Sequence, residues 1–385
     1  MKQLFLLDPS IIFLNHGSFG ACPSEVFEVY QCRQLEMERN PVEFLGRRSA
    51  ALLMESRSLL AAYMGANPAN LVYIPNATSG VNTVARSLAL TEGDEILSTD
   101  QEYGACDNTW NFVCQRAGAR YVRLTIPLPF RVEEFAERIW AGITARTRII
   151  FLSHITSTTA LIFPMEEICR RARSAGILTF IDGAHAPGHI PLQLEALGAD
   201  FYTGNCHKWL CAPKGAAFLY ARPEHHSYLD APVISWGYSD EIMGHTGFEA
   251  YTGSTLFERR MQWQGTRDLA AYLSVPAAIQ FLQQHDWDQV RPACHDLAVE
   301  TMDTICNLTG LPPICKGSDY GQMAAIPIPP MDADLLKNIL FQDHRIEVPV
   351  TYHQNHLFVR ISVQGYNSQD DTHALVDALK RIYRL

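Results

Sequence analysis

The sequence predicts an α/β protein with a mostly parallel, seven-stranded sheet between helices and a smaller α+β domain towards the C-terminus. Seven short apolar runs, at 71–74, 95–98, 120–124, 148–153, 177–182, 200–202 and 216–220, are nearly continuous, as strands buried on both faces are. Helix-like stretches near 79–90, 107–117, 132–143 and 165–175 separate most of them, and strands alternating with helices build parallel sheets. The 385 residues, 47% hydrophobic and 19% charged, suffice for a large and a small domain with apolar cores and argue against disorder.

In chain order, the first stretch, through Asn15-His16-Gly17-Ser18-Phe19-Gly20, reads as irregular. Pro23-Ser24 opens a helical pattern, and a second runs from about Pro41 to Met64, where Gly65-Ala66-Asn67-Pro68 ends it. The strand–helix alternation follows. Residues 221–255, rich in His, Gly, Tyr and Trp, then form a long irregular stretch, in which Trp236, Tyr238 and His245 are candidates to line a side-chain pocket or to pack at an interface. A helical pattern resumes near Arg267. The expected division is an N-terminal segment 1–22, a large domain 23–266 and a small domain 267–385, with the helices of 23–64 placed to pack against the small domain.

A formal net charge of -10 argues against a nucleic-acid binder, which needs a basic face. The ten cysteines are scattered with no CxxC pair, as in a reduced cytosolic protein rather than a disulfide scaffold. No apolar segment is long enough for a bilayer. The short apolar start lacks a cleavage site, so the expected location is the cytoplasm. His225-His226 and His353-Gln354-Asn355-His356 lack the partners of a recognisable zinc site, so no metal is expected.

Parallel sheets bind ligands beyond the carboxyl ends of their strands, so the residues that follow each strand carry the functional argument. Asn205-Cys206-His207-Lys208-Trp209-Leu210 puts a lysine at a strand exit in an apolar frame. Burial lowers a lysine's pKa and leaves an amine able to form an imine or take a proton. Phe180-Ile181-Asp182-Gly183-Ala184-His185 ends a buried strand on an aspartate. That is either a plain turn or a carboxylate placed to hold a protonated pyridine nitrogen. Ile74-Pro75-Asn76-Ala77-Thr78-Ser79-Gly80 passes from strand to helix through small and hydroxylated residues, which fits an N-cap or a phosphate site. Arg360 lies mid-strand in Leu357-Phe358-Val359-Arg360-Ile361-Ser362, where it either pairs with a buried acid or awaits a ligand carboxylate.

Together these motifs resemble the class V aminotransferases, the fold-type I group of pyridoxal 5′-phosphate (PLP) enzymes that includes cysteine desulfurases and kynureninases. Within it, Leu14-Asn15-His16-Gly17-Ser18-Phe19-Gly20 and Trp263-Gln264-Gly265-Thr266-Arg267-Asp268 are similar to the isopenicillin N epimerase-like branch. The resemblance implies a PLP enzyme acting at Cα of an amino acid, by epimerisation or, alternatively, by C–S β-elimination or transamination. It implies Lys208 as the Schiff-base lysine, Asp182 at the pyridine nitrogen and His185 at the ring oxygen. Ala77, Thr78, Ser79, Asn205 and His207 would hold the phosphate, and Tyr103 would stack on the ring. Thr266 would reach the phosphate of a neighbouring subunit, implying a homodimer with shared active sites. Arg360 would clamp the substrate carboxylate, with Asn15, His16 and Ser157 as further substrate-binding candidates. Tyr103 and His16 are the candidates for a second proton donor. The chain departs from persulfide-forming desulfurases: where their mobile loop carries a cysteine it reads Asp343-His344-Arg345-Ile346-Glu347-Val348-Pro349, and the nearest upstream cysteine is Cys315.

Overall fold

The computed structural model describes residues 1–238 and 252–385; His245 lies outside the described residues. The chain opens with a short strand β1 (Ile12–Phe13), then helices α1 (Ser24–Arg39) and α2 (Ser49–Tyr63). The alternation follows as β2 (Leu71–Ile74), α3 (Ala77–Ser87), β3 (Glu95–Thr99), α4 (Gly104–Ala117), β4 (Arg120–Leu124), α5 (Val132–Ala141), β5 (Thr147–Ser153), α6 (Met165–Ala175), β6 (Leu178–Asp182), β7 (Phe201–Asn205) and β8 (Ala217–Ala221). Seven strands form one sheet in the order β2-β8-β7-β6-β5-β3-β4. Only β8 runs against its neighbours; the other pairings are parallel.

Apart from the edge strand β4, the sheet is buried on both faces because its side chains alternate between two apolar clusters. In β5, Ile149 and Phe151 point into one cluster with Val81 and Val84 of α3 and Trp110 of α4. Ile150 and Leu152 point into the other with Phe135 of α5, Ile168 of α6 and Leu53 of α2. Helix α6 ends at Gly176, whose left-handed φ of 69° closes the last turn, a conformation that costs glycine little.

After the sheet come α7 (Leu256–Gln262), α8 (Val275–Gln284) and the long α9 (Trp287–Thr309). The buried Arg57 of α2 pairs with Glu258 of α7 and donates to Gln262 at 2.6 Å. The C-terminal part adds β9 (Met323–Ile328), α10 (Ala333–His344), β10 (Ile346–Glu347), β11 (Val350–His353), β12 (His356–Ser362) and α11 (Gln369–Tyr383). Strands β11, β12 and β9 make an antiparallel sheet, covered by a separate core that includes Met302, Leu336, Val359 and Leu375. Residues 269–287 share the cluster of α1 and α2, while Cys294 and the later buried residues of α9 join the separate core. Strand β1 pairs with β10, which ties the N-terminal segment to the smaller core. Among the described residues no helix is long and apolar enough to cross a membrane.

Candidate active site

The parallel strands β2, β7, β6, β5 and β3 present their carboxyl ends at one edge of the sheet, above a cavity of about 380 Å³. The cavity is lined by Ala77 and Thr78 after β2, Tyr103 after β3, Ser153 and Ser157 at and beyond the end of β5, Asp182 and His185 at β6, and Asn205, His207 and Lys208 at β7. Sheet order sets β7, with Lys208, between the α3 turn on one side and Asp182 on the other.

Lys208 is half-buried and lines the cavity. Its Nζ lies 3.1 Å from His185 Nε2. Burial first, then the Arg360 cation, brings the amine down to about 7, against the pull of Asp182 and Cys106. Near neutral pH a large share is therefore the nucleophilic amine. His185 is held well below the usual imidazole range by burial and by Lys208, so it is neutral.

Asp182 is 3% exposed. Its two oxygens accept from the Ala184 N–H at 2.9 Å and the Cys106 thiol at 3.4 Å. Burial raises this carboxyl, while those two donors and Lys208 pull it back. No arginine or lysine forms an ion pair with it among the described residues, which leaves lone pairs for a cationic ring nitrogen.

The helix start is capped by Asn76, whose Oδ1 accepts from the Ser79 N–H at 2.9 Å and the Ser79 hydroxyl at 3.1 Å. Asn205 Oδ1 accepts from the Ala77 N–H at 2.9 Å. The first N–H groups of a helix have no partner within it, so Thr78 alone of the three brings a spare backbone donor, together with its hydroxyl. The expected phosphate role of Ser79 is thus corrected: the cap consumes its donors, and it does not line the cavity. Asn205 keeps its amide donors for a ligand. His207 uses Nδ1 on the Ala216 carbonyl at 3.0 Å, and burial lowers it to about 4. It can donate to a phosphate only by taking a second proton.

Arg360 is 5% exposed and stands behind the wall. Its Nη1 donates to the Ser157 carbonyl and to Ser157 Oγ at 3.3 Å, and its Nη2 to Ser18 Oγ at 3.1 Å. Ser18 and Ser157 both line the cavity. The guanidinium has no acid partner among the described residues, and its buried Nε is unbonded. Of the two readings left open by the sequence, the buried acid is not present there.

The N-terminal segment acts through the backbone of the lysine loop. His16 is fully buried, with Nε2 2.9 Å from the Lys208 carbonyl and Nδ1 3.0 Å from the Tyr366 hydroxyl. It is not at the cavity, so its expected contact with substrate and its candidacy as a second proton donor are corrected: both ring nitrogens are engaged. Asn15 is likewise outside the cavity; it accepts from Ser18 Oγ at 2.5 Å and so orients a partner of Arg360. Gly20 has φ +70°, and a Cβ there would lie 2.0 Å from the His207 carbonyl oxygen. Gly20→Ala is therefore expected to destabilise the protein by about 1–3 kcal/mol and to displace the lysine loop, read by urea denaturation and by the pH profile of the amine.

Thr266 is exposed and outside this chain's cavity, and Trp236 and Tyr238 do not line it. Tyr238 instead donates to Asp230 at 2.9 Å. His225 is hydrogen-bonded to Asp200 at 3.0 Å and Tyr228 at 2.9 Å, and His353 lies 2.6 Å from Gln101. The sequence reading missed Ser18, Phe19, Ser153, Glu102 and Cys106. Glu102 accepts from Thr99 at 2.6 Å and from the Ser153 N–H and hydroxyl at 2.7 Å, and burial pushes it up to about 8. An acid directly before the aromatic at a strand exit was the available signal for it.

A profile of the family described as Aminotransferase class-V matches residues 20–375. The isopenicillin N epimerase of Amycolatopsis lactamdurans is 37% identical over 388 residues, spanning 99% of this chain and 97% of that protein. The probable chloroplastic L-cysteine desulfhydrase of Arabidopsis thaliana is 27% identical, across 98% of this chain and 84% of that one. The crystal structure of the cysteine desulfurase CsdA from Escherichia coli superposes with a TM-score of 0.80 at 23% identity, over 100% of this chain and 97% of that chain, and shares the fold.

Proposed function

The chain belongs to the class V aminotransferase family, and from that premise we propose that it is a PLP enzyme acting at Cα of an amino acid, by epimerisation. The observation that carries this reading is the Lys208 amine, brought to about 7 and set beside neutral His185 in the cavity that also holds the buried Asp182. The donor set fits the cofactor. Free donors of Thr78 and Asn205 suit a phosphate, the unpaired Asp182 carboxylate suits a pyridinium nitrogen, and the His185 Nε2 suits a ring oxygen. Tyr103 offers a ring face at the cavity. PLP, when bound, supplies the electron sink that makes the substrate Cα–H acidic.

Lys208 would hold the cofactor and, as a free amine, would take the substrate's Cα proton. Asp182 would hold the proton of the ring nitrogen. Arg360, hydrogen-bonded to the lining residues Ser18 and Ser157, would hold the substrate carboxylate. Epimerisation needs a donor on the opposite face, and Tyr103, half-exposed at the cavity from β3, takes that role. Thr266 completes the phosphate site of a second subunit, giving a cytoplasmic homodimer with shared active sites. No nucleic acid or membrane takes part.

The desulfhydrase relative favours a second reading, β-elimination from a cysteine derivative. Persulfide chemistry has less support, since Cys315 packs beside Ile314 and Phe358 away from the cavity. A screen of amino acids in deuterium oxide, read in parallel for Cα deuteration and for pyruvate and ammonia, tests the proposal. Deuteration without elimination is expected. Pyruvate from L-cystine selects the lyase, and an enzyme that binds PLP yet exchanges no Cα–H overturns both.

A further inference from the structure

We propose that Trp209 is a positioning residue that fixes the tautomer of His185, so that His185 presents an N–H donor to the Lys208 amine. The Trp209 indole can only donate, and its Nε1 lies 3.3 Å from His185 Nδ1. That nitrogen must therefore carry the lone pair, which puts the single proton of neutral His185 on Nε2, the atom 3.1 Å from Lys208 Nζ. An ammonium facing this N–H would oppose donor to donor. A neutral amine accepts from it.

The surroundings hold this arrangement in one state. Trp209 is fully buried, its ring 4.1 Å from that of His189 and 5.0 Å from that of His16. His189 is itself assigned: its Nε2 accepts from the Gln322 N–H at 2.8 Å, which leaves Nδ1–H to donate to the His185 carbonyl at 3.2 Å. His185 is thus gripped at its backbone by one histidine and at its ring by the indole, and among the described residues no neighbour offers Nδ1 an acceptor that would reverse it. Facing Lys208 are His185, Asp182, Cys106 and Arg360; facing His185 are Lys208, Arg360, His189 and His16. Of these, the His185 ring alone can change sign towards the amine by moving a proton between its own nitrogens.

The inference rests on reading Lys208 as the cofactor's lysine, but its first test needs no cofactor. In cofactor-free protein labelled with 15N-histidine, the His185 signal, identified by its loss in His185→Gln, is expected in the Nε2–H form. In Trp209→Phe it is expected to become a mixture. The second readout is the rate at which cofactor-free protein captures added PLP across pH. The wild-type rate should rise through about pH 7, and in Trp209→Phe the midpoint should move up by about one pH unit. His185→Gln keeps an acceptor for the indole and a donor for the amine, so its midpoint should stay within about half a unit of the wild type. An Nδ1–H signal in the wild type overturns the proposal, as does a folded Trp209→Phe protein with an unmoved midpoint. If Trp209→Phe does not fold, the wild-type spectrum and the His185→Gln midpoint decide the matter. Wild-type protein that shows the Nε2–H form but captures no PLP would instead overturn the cofactor reading.

Discussion

Lys208→Ala is expected to lose turnover by about 10³-fold or more and to lose the cofactor's visible absorbance, while unfolding at the wild-type temperature. The side chain has two tasks in the proposed reaction, anchoring the cofactor and removing the Cα proton. Positioned acid–base catalysis alone contributes about 10²–10⁴-fold. Little of the loss should be structural. Among the described residues the lysine side chain makes one hydrogen bond, to His185, and it faces the cavity, so truncation leaves no sealed void of the kind that destabilises a core. The backbone of the loop is held separately, by His16 on the Lys208 carbonyl and by Cys211, whose N–H donates to the same carbonyl at 3.0 Å. Added methylamine should restore part of the turnover by replacing the missing amine. Retention of more than about a tenth of wild-type activity in Lys208→Ala, with no amine added, would remove the lysine from the reaction.

The sheet and its ligand edge were legible in the sequence because strands apolar on both faces leave an unbroken pattern. Helix α6 has the bounds that were read for it, since Pro164 precedes it and Gly176 ends it. Strand β7 extends to Asn205, beyond the apolar run at 200–202. Thr203, Gly204 and Asn205 look like loop residues, yet all are buried, and Gly204 packs against Phe218 and Pro187. The helix start after β2 was recognised but its cap was not, because Asn76, Ser79 and Thr78 are equally plausible by type and only the geometry shows which donors remain. His16, Ser18 and Trp209 act on residues far along the chain or through ring nitrogens, for which no local spacing exists. Periodicity shows that α8 has an apolar face, Val275, Ala278, Ile279 and Phe281, and this face shares a cluster with α1 and α2, the helices of 23–64.

Arg360→Leu is expected to lower kcat/KM by about 10²–10³-fold, chiefly through KM, and to leave folding stability unchanged or improved. Burial lowers the guanidinium to about 10, so it is still charged near neutral pH. Its partners among the described residues are the neutral oxygens of Ser157 and Ser18, and none of them compensates a buried cation. An arginine held at that cost is suited to a ligand carboxylate, and hydrogen bonds to a charged group are worth about 1.5–3 kcal/mol each. Losing two gives about 3–6 kcal/mol, the lower part of which corresponds to the stated factor. Leucine removes the uncompensated charge together with its partners' obligations, so stability need not fall. Arg360→Lys keeps the charge but not the planar fork, and should fall between the two. The same cation depresses Lys208, so its removal should raise the midpoint of PLP capture as well, the opposite sign to what loss of Asp182 would give. Amino-acid amides supply the control: they lack the carboxylate, so Arg360→Leu should handle them no worse than the wild type does. A variant that kept the wild-type KM for free amino acids would place the carboxylate elsewhere in the cavity.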